Sequence, residues 1–155
     1  MKDQERFTRF PMLEFDKKVY AFGHRFRRGQ VLDVGGGLED SAWKFIAPSS
    51  LEASELAAAV SEDFILVTGG PFTYRYDPKL DQWKSLARMK QRRSRHGMVA
   101  LDGEMFLVIG GDFGCSMERY NVAQDKWTME ESLLARCLPS DSLVTARKDW
   151  TIIAI

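Results

Sequence analysis

The 155-residue chain has little of the chemistry most catalytic sites need. It holds two histidines, His24 and His96, and two cysteines, Cys115 and Cys137. The cysteines form no metal-type pair and no disulfide scaffold of the kind seen in small secreted domains, so two free thiols in a reducing compartment are expected. Neither sign of charge is in excess, with 22 basic against 22 acidic residues, which argues against nucleic acid or an anionic membrane surface as partner. No apolar run approaches bilayer-spanning length. The start, Met1-Lys2-Asp3-Gln4-Glu5-Arg6, is charged and leads into no apolar core, so no secretory signal is read and the cytoplasm is expected. No Gly-x-Ser-x-Gly elbow, His-Glu-x-x-His or phosphate loop is found. Gly35-Gly36-Gly37 lacks the Lys-Ser/Thr that would follow in a phosphate loop, and it reads as a flexible insertion between strands.

What the chain does have is periodicity. Phe64-Ile65-Leu66-Val67-Thr68-Gly69-Gly70 is followed by Tyr76-Asp77-Pro78 and then Trp83. Phe106-Leu107-Val108-Ile109-Gly110-Gly111 is followed by Tyr120-Asn121 and then Trp127. The glycine pairs stand 41 residues apart, and the tyrosines and tryptophans 44 apart. Self-similarity at such a period marks a repeat architecture. A degenerate copy lies upstream, in which Val19-Tyr20-Ala21-Phe22-Gly23 carries His24 in the second glycine place and Val31-Leu32-Asp33 replaces the Tyr segment, with Trp43 40 residues before Trp83. Downstream, Trp150-Thr151-Ile152-Ile153-Ala154-Ile155 repeats the apolar run.

These residues resemble the kelch repeat, a four-stranded propeller blade. The fullest match is Arg95-His96-Gly97-Met98-Val99-Ala100-Leu101, Gly103, Phe106 to Gly111, Met117-Glu118-Arg119-Tyr120-Asn121 and Trp127. The physical reading agrees. Runs of five or six Val, Ile, Leu and Phe residues suit buried inner strands, and glycine after each permits positive φ and a close pass to a neighbouring blade. Asp77-Pro78 starts a turn, and tryptophan suits a wedge between blades. The expected fold is all-β: an incomplete kelch-type propeller of four-stranded antiparallel blades over 1–155. Strands are expected near 13–15, 19–23, 30–34, 43–46, 56–61, 64–69, 73–77, 83–85, 97–101, 104–110, 116–121, 126–129, 142–146 and 150–155. They group into blades at about 13–46, 56–85 and 97–129 and a partial blade at 142–155, short of the roughly four to eight of a closed ring. Residues 49–59 have helix propensity, but the repeat places Leu56 to Val60 in an inner strand, with a short helical turn allowed over 50–55.

In such a blade the loop joining the second and third strands shares a rim with the linker to the next blade. Arg25, Phe26, Arg27, Arg28, Phe72 and Phe113 fall in the first kind of loop, and Arg92, Arg93 and Arg95 in the second. Arginine and aromatic residues are favoured at interface hot spots, and guanidinium groups grip carboxylates bidentately. The expectation is a rim that docks an acidic peptide or protein surface; the plainer reading is solvated loop arginines, with Arg95 bonding backbone carbonyls. His96 is read as structural and His24 as a substitution for glycine. Gly69, Gly70, Tyr76, Trp83, Gly110, Gly111, Tyr120 and Trp127 are the structural repeat.

The resemblance implies a protein-interaction module without catalysis, metal or cofactor. It could serve substrate recognition for a cullin-type ubiquitin ligase, as in adaptors that carry a BTB domain, or actin binding. The alternative is a piece of an oxidase- or lyase-like propeller enzyme. The apolar terminal run, left without outer strands, leads to an expectation of self-association through open edges.

Overall fold

In the computed structural model, residues 10–23, 29–37, 39, 41–50, 55–112 and 115–131 are described, together with the backbone of 144–146 and 152–154. Fourteen strands run through the described residues in chain order. The first four are β1 (Met12–Phe15), β2 (Lys18–Phe22), β3 (Gly29–Asp33) and β4 (Lys44–Phe45). The next four are β5 (Ala57–Val60), β6 (Ile65–Gly69), β7 (Phe72–Asp77) and β8 (Gln82–Ser85). Then come β9 (Gly97–Asp102), β10 (Met105–Ile109), β11 (Met117–Asn121) and β12 (Lys126–Glu130), and last β13 (Val144–Ala146) and β14 (Ile152–Ala154). Each set of four pairs in sequence order into an antiparallel sheet, and β13 pairs with β14. All fourteen lie within two residues of the strands expected from the repeat.

The continuous apolar runs are explained by burial on both faces. In β6, residues Ile65, Val67 and Leu66 are all fully buried, yet alternate residues enter different cores. Ile65 and Val67 join Tyr20, Phe22, Ile46 and Tyr76 between the first two blades. Leu66 joins Phe64, Met98, Phe106, Val108, Tyr120 and Trp127 between the second and third. A strand with two buried faces loses the apolar–polar alternation of a half-solvated one. Ala57–Val60 forms strand β5 despite its helix propensity, because pairing with β6 (Ala57↔Thr68 to Val60↔Ile65) and burial of Ala57 and Ala59 outweigh it. Residues 51–54 of the allowed helical turn lie outside the described residues.

The glycine pairs behave as close-approach points. Gly70 and Gly111 take φ of 58° and 96°. A Cβ on Gly111 would come within 2.8 Å of the Ser94 carbonyl oxygen, so a side chain there would force the third blade off the linker before it. Gly70 exchanges two backbone hydrogen bonds with Arg93, at 2.8 and 2.9 Å.

The cysteine expectation is corrected. Cys115, in the β10–β11 connection, is disulfide-bonded rather than a free thiol. Spacing along the chain carries no signal for pairing that folding creates, and the ground for reading a reducing compartment from the cysteines falls with it. Cys137 lies outside the described residues.

Candidate protein-docking face

Adjacent blades are joined by a clamp that recurs with the repeat. Tyr76 and Trp83 are cross-strand partners on β7 and β8, with ring centroids 4.9 Å apart; Tyr120 and Trp127 repeat this on β11 and β12 at 5.0 Å. The Tyr76 hydroxyl donates to Asp81 Oδ1 at 2.7 Å, and that oxygen also accepts the Ala47 N–H at 2.8 Å. Trp83 Nε1 donates to the Ala47 carbonyl at 2.9 Å. One blade later the Tyr120 hydroxyl and the Ala87 N–H meet Asp125 Oδ1, and Trp127 Nε1 donates to the Ala87 carbonyl at 3.1 Å. Both peptide groups of the leaving chain are thus satisfied by the next blade. Burial and the aspartate acceptor push both tyrosines well above the usual phenol range. The Tyr120 hydroxyl and the Ala87 N–H hold Asp125 below the usual carboxylate range. Asp81 and Asp125 sit at φ of 50° and 46°, a left-handed turn that aspartate tolerates better than most residues.

The linker over 86–96 carries the basic cluster. Glu118, fully buried on β11, accepts the Lys90 N–H at 2.6 Å, the Gln91 N–H at 3.0 Å and Arg93 Nε at 3.1 Å. Arg93 donates further to the carbonyls of Gly110 (2.7 Å) and Ser116 (2.9 Å) and to Gln91 Oε1 (3.2 Å). Burial draws the Arg93 guanidinium below its usual pKa, and Glu118 opposes that.

Arg93 therefore departs from the expected rim contact. It is 0% exposed, and its donors are turned inward to a carboxylate and to the carbonyls of Gly110 and Ser116. Arg95 is half-exposed but not free, pairing with Asp112 at 3.0 Å and Glu55 at 3.7 Å, so side-chain carboxylates hold it rather than a bare solvated site. Arg92 and Lys90 are exposed on the same turn. Phe72 is half-buried at the start of β7, and the guanidinium of Arg88 stands 4.9 Å over its ring. The Gly70–Phe72 corner is tied to the linker by the Gly70–Arg93 bonds and by the Met89 N–H to the Pro71 carbonyl at 3.0 Å. The structure thus brings Phe72, Arg88, Lys90 and Arg92 into one neighbourhood. Arg25, Phe26, Arg27, Arg28 and Phe113 lie outside the described residues.

Arg88 and Glu118 were not singled out by sequence reasoning. Glu118 stands two residues before the motif tyrosine, and an acid on an otherwise inward-facing strand was the available signal. Arg88 had none beyond lying in the linker.

His96 is 7% exposed, its Nε2 hydrogen-bonded to the Thr68 hydroxyl at 2.8 Å. Burial, with help from the charge of Arg93, lowers its pKa to about 3. It is a neutral core histidine near neutral pH. Among the described residues, no group of three or more His, Cys, Asp or Glu could hold a metal, and no helix is long and apolar enough to cross a membrane.

Four-stranded antiparallel sheets set face to face, each clamped to the next, define the blades of a β-propeller. Residues 92–134 match the family model of the kelch motif. The chain is 38% identical over 81 residues to mouse (Mus musculus) Kelch-like protein 40, covering 45% of this chain and 13% of that protein. It is 29% identical over 106 residues to Kelch-like protein 36 of Bos taurus, covering 58% and 17%. It is 28% identical over 109 residues to beta-scruin of Limulus polyphemus, covering 59% and 12%. The matches thus span 12–17% of the length of these relatives. The chain carries a kelch motif over residues 92–134 and folds as an incomplete kelch-type propeller.

Proposed function

We propose that this chain is a docking module for a protein partner, acting without chemistry of its own, and that its rim around Phe72, Arg88, Lys90 and Arg92 receives an acidic segment. The observation that carries this reading is the division of labour within one basic turn. Arg93 spends its charge inside on Glu118, and that anchor fixes the backbone from which Lys90 and Arg92 are exposed. A preset loop on a rigid sheet loses less entropy when it binds. Arg88 over Phe72 adds a cationic group on an aromatic base, the residue types that concentrate binding energy.

The test is capture by an immobilised Glu-rich peptide, with a Gln-rich peptide of equal length as control. Reversing Arg88 and Arg92 to Glu should weaken capture at least about tenfold and leave the denaturation midpoint unchanged. Equal capture of both peptides, or no loss on reversal, would make these side chains ordinary solvated residues. In the whole protein, the rim would select substrates for a cullin-type ubiquitin ligase or bind actin. Immunoprecipitation of the native protein separates these, since a cullin scaffold or actin would co-purify and the intact mass would report any further domains.

A further inference from the structure

The linker over 86–96 crosses the rim from the end strand of the second sheet, β8, to the first strand of the third, β9. Its cations are not equivalent along that path. Arg88, Lys90 and Arg92 are exposed, whereas Arg95, next to β9, is engaged by carboxylates of two blades. Its Nη2 stands 3.0 Å from Asp112 Oδ1, and its Nε stands 3.7 Å from Glu55 Oε2.

The repeat itself sets this cluster. Ala57 on β5 pairs with Thr68, and Gly97 on β9 pairs with Ile109, each opposite the residue before a glycine pair. Glu55 and Arg95 both stand two residues ahead of those positions, and both take left-handed φ, 58° and 55°. They are thus one position of successive repeats, acidic in the second blade and basic in the third. Asp112 directly follows Gly111, whose close pass to the Ser94 carbonyl keeps this corner against the linker. The second blade has uncharged Pro71 at the corresponding place.

The Arg95 and Asp112 side chains are 46% and 38% exposed, so their pairing contributes little to the stability of the fold. Its effect falls on binding instead. A guanidinium that holds one carboxylate must release it before gripping another. Asp112 and Glu55 also repel an arriving carboxylate, and like charges set across an interface discriminate between partners.

We infer that Asp112 and Glu55 are internal competitors of an acidic partner. They occupy Arg95, confine an acidic segment to the part of the rim around Arg88, Lys90 and Arg92, and weaken its hold overall. This inference rests on the docking role proposed for the rim.

The test uses the full chain with the same immobilised Glu-rich and Gln-rich peptides. Asp112→Asn should strengthen capture of the Glu-rich peptide by about two- to fivefold, the scale of one exposed ion pair, and leave the Gln-rich control unchanged. Glu55→Gln, at the longer distance, should act in the same direction and by less. In an Arg95→Gln background, Asp112→Asn should give markedly less gain, because the group it uncovers is gone. These side chains are partly exposed, so the denaturation midpoints should stay near that of the parent. A parent that prefers the Glu-rich peptide with an Asp112→Asn variant no better than it would overturn the competition and leave the docking reading standing. An equal gain with and without Arg95 would overturn it too, assigning the effect to net charge. A gain that needs Arg95, in a chain indifferent to reversal of Arg88 and Arg92, would support the competition and sink the docking reading. No preference for the Glu-rich peptide in either the parent or Asp112→Asn would overturn both.

Discussion

Asp125 Oδ1 accepts the backbone N–H of Ala87 at 2.8 Å across the boundary between the second and third blades, and Asp81 holds Ala47 at the same distance one blade earlier. A propeller has no hydrogen bonds running from sheet to sheet through regular pairing, so its blades need such side-chain ties as well as apolar contact. Here each blade reaches back with a carboxylate and an indole to the chain leaving its predecessor. Asp125→Ala removes the acceptor for both Ala87 and Tyr120 and puts alanine at positive φ, so a loss of about 2–4 kcal/mol is expected. Asp125→Asn keeps an acceptor and tolerates the turn, so it should lose less. Urea denaturation of both variants checks the order; equal losses would mean the carbonyl-type acceptor contributes nothing.

The tryptophans complete the clamp and should show its unequal burial. Trp127 is 1% exposed, while Trp83 is half-buried. Trp127→Ala and Trp83→Ala are each expected to destabilise by about 3–5 kcal/mol, with Trp127 at the upper end. Trp127→Phe retains most of the apolar contact but leaves the Ala87 carbonyl and the Thr73 hydroxyl without the indole donor, a loss of about 1–3 kcal/mol. Unchanged midpoints in both alanine variants would count against the blade assignment.

The buried ion pair makes a separate prediction. Both side chains of Arg93 and Glu118 are 0% exposed, so removing one leaves the other charged and stranded. Arg93→Met should cost about 3–5 kcal/mol, and Glu118→Gln should also be costly because Arg93 then lacks its counter-charge. The double variant, Arg93→Met with Glu118→Gln, should lose markedly less than the sum of the two. Additive losses in the double-mutant cycle would show that the two side chains act separately.

The strands, their grouping and the glycine corners were legible because propeller physics writes them locally. A strand buried on both faces must be continuously apolar, and a corner pressed against a neighbouring linker must be glycine. The Tyr and Trp positions were legible for the same reason, as each recurs wherever a blade meets its predecessor. The basic rim was legible only as a composition. Arg92 and Arg93 are neighbours of one type, yet Arg92 is exposed and Arg93 is wholly buried, because the deciding partner, Glu118, lies 25 residues away. Phe72 was found as a rim aromatic, but the Arg88 beside it depends on how the linker crosses the corner. The disulfide at Cys115 likewise depends on a proximity that only folding creates.

His96 supplies a pH dependence whose sign follows from burial. Its pKa is about 3 in the fold against 6.5 for an unperturbed histidine. Between those values the unfolded chain binds a proton that the folded chain excludes, so stability rises with pH across that window. The full contribution is present above about pH 6.5 and is lost as the pH falls toward 3, at up to about 1.4 kcal/mol per unit. Asp125, whose pKa is also lowered, acts in the same direction only near and below the ordinary carboxylate range. The interval from pH 7 to 5 therefore separates His96 from the carboxylates, and a loss of about 2 kcal/mol from this histidine is expected there. His96→Gln carries no titrating group, and its urea midpoint should be nearly flat over the same interval even if it is lower throughout. A variant that still loses stability as steeply as the parent would assign the dependence to another group.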